Sequence, residues 1–191
     1  MLSPLSLPRT YADIAQVRQR LGDYDLAIQA CNAGLSSLRT GDRMRYEDLV
    51  EADLHSILGG IYGMRGEFER AQHHFESSLH ARTIAEDIRG RIISHNNLGY
   101  LWQLQNEYER ALEQYAIVEQ LASSIHMHHL IIFAHTNAAF SLISLGRYSE
   151  AETRCHIALE LSSTLQTQQT TAQIYNTLSI IYTHQGRYQE A

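Results

Sequence analysis

The eleven histidines are the residues of widest chemical reach in this 191-residue chain. His126-Met127-His128-His129 places three imidazoles within four positions, and imidazole is a common metal ligand. Ligand histidines on a helix stand at i and i+4 with further partners, often carboxylates. Here Glu119 is the one nearby acid, so the run reads as surface histidines beside a link between helices, and no metal is expected. His55, His95 and His135 share one register, and stacked neighbours would bring them into a ladder within an inter-repeat seam. Such a ladder could respond to pH, because imidazole titrates near neutrality.

Other chemistry is sparse. Gly59-Gly60-Ile61-Tyr62-Gly63-Met64-Arg65-Gly66 has the look of a phosphate loop, but it follows no strand and lacks the lysine. Its glycines either soften a helix or bare backbone to a partner. Walker, nucleophile-elbow, HExxH and CxxC patterns are absent, so the segment reads as non-enzymatic with no cofactor. Cys31 and Cys155, the only cysteines, are too few for a disulfide framework. The net charge is −6 and lysine is absent, which argues against a nucleic-acid footprint. No apolar run reaches the length of a membrane span or signal peptide, and a cytoplasmic setting is expected.

A repeat organises these residues. Gly22-Asp23-Tyr24-Asp25-Leu26-Ala27 recurs as Gly66-Glu67-Phe68-Glu69-Arg70-Ala71, Asn106-Glu107-Tyr108-Glu109-Arg110-Ala111, Gly146-Arg147-Tyr148-Ser149-Glu150-Ala151 and Gly186-Arg187-Tyr188-Gln189-Glu190-Ala191. The spacings are 44, 40, 40 and 40 residues. The first residue suits a left-handed helix cap, which Gly adopts without strain and Asn tolerates. The acids that follow suit the positive start of a second helix. The aromatic fills the angle between the two helices, and the alanine lets them approach.

Seven or eight residues before each cap stand Ile14-Ala15, Leu58-Gly59, Leu98-Gly99, Ala138-Ala139 and Leu178-Ser179. Tyr62, Trp102, Leu142 and Tyr182 continue that stripe at helical spacing. In the second helices Ala27-Cys31-Leu35, Ala71-Phe75-Leu79 and Ala151-Cys155-Leu159 run at i, i+4, i+8, and Ala111-Tyr115 continues through Val118 and Ala122. Both cysteines thereby read as small buried apolar residues.

On these residues the chain resembles the tetratricopeptide repeats, over nearly its whole length after Pro8. The period of 40 rather than 34, and the missing closing proline, resemble the subgroup of kinesin light chains, Pins-type adaptors, Rap-type regulators and sensor arms of STAND-type ATPases. The resemblance implies an all-α superhelix of antiparallel helix pairs. An N-terminal segment 1–8 would precede repeats at about 9–42, 46–85, 86–125, 126–165 and 166–191, the last cut short. Thr40-Gly41-Asp42-Arg43 adds four residues before the second repeat. The longer first helices are expected at roughly 46–65, 86–105, 126–145 and 166–185. Because Ala191 is a signature alanine, further repeats or an effector domain are expected beyond it.

Stacked first helices would line a concave wall. Repeat 2 presents Asp53, Ser56, Gly60 and Gly63 there, and repeat 3 presents Ile93, Asn96, Tyr100 and Gln103. Repeat 4 presents Phe133, Thr136, Phe140 and Ile143, and repeat 5 Gln173, Asn176, Ile180 and Thr183. A helix apolar on two faces is either buried twice or binds something. The leading expectation is a scaffold gripping a protein or peptide partner in this groove, with Asn96 and Asn176 bonding its backbone. The alternative is a sensor arm of a larger signalling protein, binding a small molecule or peptide. Some relatives hold a C-terminal carboxylate with Lys, Arg and Asn. The only cations offered here are Arg9 and Arg20, so an acidic-tail clamp is not expected.

Overall fold

A computed structural model describes residues 7–38, 44–165 and 168–190. Among them lie nine helices and no strand: α1 (Leu7–Leu21), α2 (Tyr24–Ser36), α3 (Arg45–Met64), α4 (Phe68–Ile84), α5 (Ile88–Leu104), α6 (Tyr108–Ser124), α7 (His128–Ser144), α8 (Tyr148–Leu165) and α9 (Gln168–His184). The helix starts fall every 20 residues from Phe68 to Gln168. No described helix is long and apolar enough to cross a membrane. Thr40-Gly41-Asp42-Arg43 and Ala191 lie outside the described residues.

The rhythm is set by how the helices stop. Gly22, Gly66, Gly146 and Gly186 have φ between 73° and 81°, and Asn106 takes the same cap at 61°. The next residue closes a Schellman turn. Glu67 N–H donates to the Tyr62 carbonyl at 2.9 Å, and Arg147 N–H to that of Leu142 at 2.9 Å. Glu86 and His126 fill the same left-handed slot, with φ of 53° and 54°, and the motif gave no sign of them. They end α4 and α6, so the following first helices open at Ile88 and His128, two residues later than the expected 86 and 126. At the start, α1 begins at Leu7 and takes in Pro8, inside the segment expected to precede the repeats. Proline is tolerated in a first turn, where its missing N–H would have no partner anyway.

The chain divides into two compact units, Met1–Leu101 and Trp102–Ala191, with the boundary inside α5. In the first unit α1 packs on α2, α3 on α4, and α3 against both α1 and α2. Its core joins Ala15, Cys31, Leu54, Leu58, Tyr62, Phe75, Leu98 and Leu101. Gly59 has no room for a side chain, because a Cβ there would lie 2.6 Å from the Phe75 ring. In the second unit α7 packs on α6 and α8, and α9 on α8 and α7. One core joins Ile132, Ala139, Leu142, Ala151, Cys155, Ile174 and Leu178, and a second joins Trp102, Ala111, Tyr115 and Ala138. The signature alanines Ala27, Ala71, Ala111 and Ala151 are fully buried, as their motif position requires. Burial pushes both cysteine thiols up to about 12, which leaves them as inert packing groups.

Candidate functional site

In the first unit the first helices carry charge toward one cavity. Arg9 and Asp13, one turn apart on α1, pair at 3.1 Å. Arg9 also reaches Asp53 on α3 at 2.9 Å. The other oxygen of Asp53 accepts from Arg82 of α4, again at 2.9 Å, and Arg82 donates onward to Asp87 at 2.8 Å. The Arg82 side chain is only 10% exposed. Asp87 in turn accepts from the Gly90 backbone N–H at the start of α5. With Gln16, Ser56, Ile57 and Ile93 the chain Arg9–Asp53–Arg82 lines a cavity of about 220 Å³. Below it a hydroxyl chain runs inward, Ser56 to Ser78 at 2.9 Å and Ser78 to Ser94 at 3.3 Å, the last two fully buried. Gly60 serves packing here, whereas Gly63 has room for a methyl group. A Cβ on Gly60 would meet Gln19 of α1 at 3.1 Å, and one on Gly63 would touch Leu101 and Ala71.

The histidine register is used within a hairpin at His55 and between neighbouring hairpins at His135. His55 of α3 lies 2.9 Å from His74 of α4, Nδ1 to Nδ1, and His74 stacks on Tyr62. Burial pulls both imidazoles down to about 4, and the charge of His73 adds to this. In the second unit His135 is buried, with Arg154 of α8 donating to its Nδ1 at 3.2 Å and Glu119 of α6 at 3.7 Å. Burial lowers its pKa, Glu119 opposes that, and Arg154 adds to it. For His55 and His135, then, these partners lie on the neighbouring second helices. His126-Met127-His128-His129 sits at the α6–α7 link as expected, with His128 and His129 exposed. No group of three metal-ligating side chains is placed to hold an ion among the described residues.

The inner-face residues named from sequence divide by unit. On the first-unit part of α5, Ile93 and Tyr100 are exposed and Asn96 is half-buried. In the second unit Phe133, Phe140 and Ile180 leave 48%, 56% and 50% of their surface in water, a large exposure for apolar groups. Asn176, Gln173 and Thr183 are exposed beside Ile180. Thr136 bonds its own helix at the Ile132 carbonyl. Gln103 donates to the Asn137 carbonyl at 2.9 Å and to Ser141 Oγ at 2.8 Å, so it ties the end of α5 to α7. Ile143 is partly buried against the core around Leu142. Neither α7 nor α9 contains a single Asp, Glu, Lys or Arg.

Sequence reasoning missed the Arg82 network. Its signal was present: position 53 is Asp where the same register holds Ile93 and Phe133, and position 82 is Arg where it holds Ala122 and Ser162. Gly90 was also missed. A Cβ there would collide with Arg82 and Asp87.

Sequential helix pairs with a shared hairpin motif define an all-α helical-repeat protein. Residues 130–191 and, separately, 8–37 match the family description "Tetratricopeptide repeat". The chain thus carries tetratricopeptide repeats in these two segments. No curated protein matches it in sequence. Among solved structures, apo RapI is similar with a TM-score of 0.82 at 20% identity, over 95% of this chain and 65% of that one. A Podosopora anserina protein of kinesin-light-chain-like repeats gives 0.77 at 16% identity, over 100% and 92%. A Rap protein complexed with competence and sporulation factor gives 0.73 at 18% identity, over 100% and 52%. At these identities the likeness shows the fold. The chain spans about two thirds of RapI and about half of the complexed Rap protein.

Proposed function

We propose that this chain is an interaction scaffold that binds a segment of a partner protein on the inner faces of its first helices, with no chemistry of its own. Tetratricopeptide domains commonly bind proteins and are typically non-catalytic. The observation that carries the reading is the stripe of Phe133 and Phe140 on α7, continued by Ile180 on α9, each about half exposed. Covering such groups releases roughly 25 cal/mol per Å² of apolar surface, and a preformed wall spares the ordering cost on this side. Asn176, and Asn96 in the first unit, are polar groups suited to a partner's backbone.

The test is selection from a displayed peptide library on the immobilised chain, comparing wild type with Phe133→Ala/Phe140→Ala. The double variant should lose the enriched peptides and keep its helical circular dichroism. Enrichment that survives the substitutions overturns the reading. Loss of helicity would assign both rings to the core instead.

A second reading, the sensor arm of a larger signalling protein, draws support from the likeness to a Rap protein complexed with competence and sporulation factor. It uses the same face. An effector domain in the intact protein would favour it over a free-standing adaptor.

A further inference from the structure

The partner's chemistry follows from what the inner face of the second unit lacks, an inference that rests on the binding reading just given. Every Asp, Glu and Arg of residues 102–191 lies on α6, on α8, or in the segments that follow α5, α7 and α9. The inner helices α7 and α9 carry none. Their exposed groups include Phe133, Phe140, Tyr175 and Ile180, with the neutral amides Gln173 and Asn176 and the hydroxyls of Ser144 and Thr183 on the same helices. Imidazoles border this stripe rather than fill it, His129 one turn before Phe133 and His184 one turn after Ile180. His128 and His129 open α7, His184 at the end of α9 stacks on Tyr148, and His135 is buried against Arg154. Three of the unit's four guanidiniums are paired, Arg147 with Glu150 and Glu109, Arg154 with Glu119, and Arg187 with Glu152 and Glu190, and the fourth, Arg110, lies over the Trp102 ring.

A partner side chain settling on this stripe is stripped of water and meets no opposite charge. For a carboxylate, ammonium or guanidinium that is desolvation without compensation, whereas an apolar side chain gains. The exclusion works against both signs, so it selects for absence of charge. We propose that the second unit docks an uncharged, apolar segment of a partner protein, its side chains on Phe133, Phe140 and Ile180 and its backbone amides against Gln173 and Asn176.

The experiment uses the full chain and three displayed peptide pools of equal length: one of uncharged residues only, one with two fixed Asp, one with two fixed Arg. The readout is enrichment on wild type minus enrichment on Phe133→Ala/Phe140→Ala, which subtracts attachment to the acidic outer helices. The uncharged pool should lead by about tenfold, and the lead should persist when salt is raised severalfold. Phe140→Glu should move the preference to the Arg pool. If wild type favours a charged pool through Phe133 and Phe140, the proposed partner chemistry is wrong while the groove reading stands. If no pool depends on those rings, both fall.

Discussion

The two units share one hairpin, and α3 of the first and α7 of the second use its inner positions in opposite ways. The register 53, 93, 133 reads Asp, Ile, Phe, and the register 60, 100, 140 reads Gly, Tyr, Phe. In the first unit Asp53 is locked between Arg9 and Arg82, and Gly60 lets Gln19 of α1 come close. In the second unit Phe133 and Phe140 stand half exposed on a helix without charge. The cap and alanine positions fix the hairpin in both. What a unit can bind is decided at positions the motif leaves open, so the same backbone supports an internally satisfied ionic wall in one place and a bare apolar one in the other.

The sharpest way to break this contrast is to remove one member of each wall. Arg82→Leu leaves Asp53 and Asp87 without the guanidinium between them. Loss of one partner of a buried pair costs roughly 3–5 kcal/mol, and the two acids are 34% and 24% exposed, so about 2–3 kcal/mol is expected here. Phe133→Ala, by contrast, should cost less, roughly 1 kcal/mol, because about half of its surface is already in water. Urea denaturation of both variants decides. Equal losses would mean that Phe133 is a packing residue and the contrast false.

Acid should separate the units next. His55 and His74 titrate near 4 in the fold against 6.5 when exposed. The unfolded chain then binds more protons below pH 6.5, so the stability held by these neutral rings is intact above 6.5 and drains as pH falls toward 4. His135 shifts the same way, but Glu119 opposes its shift. His74→Gln imports the residue found at the same register in Gln114 and should flatten the fall of melting temperature across that window. His135→Gln should flatten it less. The reverse order would place the main acid-sensitive contact in the second unit.

Much of this was legible because it is written in residue types that permit few alternatives. Left-handed caps at Gly22, Gly66, Asn106, Gly146 and Gly186 follow from the backbone freedom of Gly and Asn, and the buried alanines from close helix approach. The exposed stripe at Phe133, Phe140 and Ile180 came from adding a second apolar face to a helix already accounted for. The Arg82 network was not legible, because ion pairs join residues 29 and 5 positions apart through space rather than through a period. Gln103 and Ile143 shared the expected face, but side-chain direction turned one into a tie to α7 and the other into packing.

The smallest effects concern the two caps that no motif announced. Glu86 and His126 hold φ near +50°, where a side chain costs roughly 1 kcal/mol that glycine avoids. Glu86 also sets a carboxylate at the negative end of α4, an unfavourable place for it. Glu86→Gly should therefore stabilise by about 1 kcal/mol and His126→Gly by about half that, after glycine's larger entropy cost is counted. Asn106→Gly should gain almost nothing, because asparagine tolerates the conformation and its Oδ1 accepts the Tyr108 hydroxyl at 2.7 Å. That order, read from melting temperatures, tests whether the 20-residue rhythm is held by backbone geometry alone. A loss at Glu86→Gly would show instead that the glutamate side chain holds the end of α4 by a contact of its own.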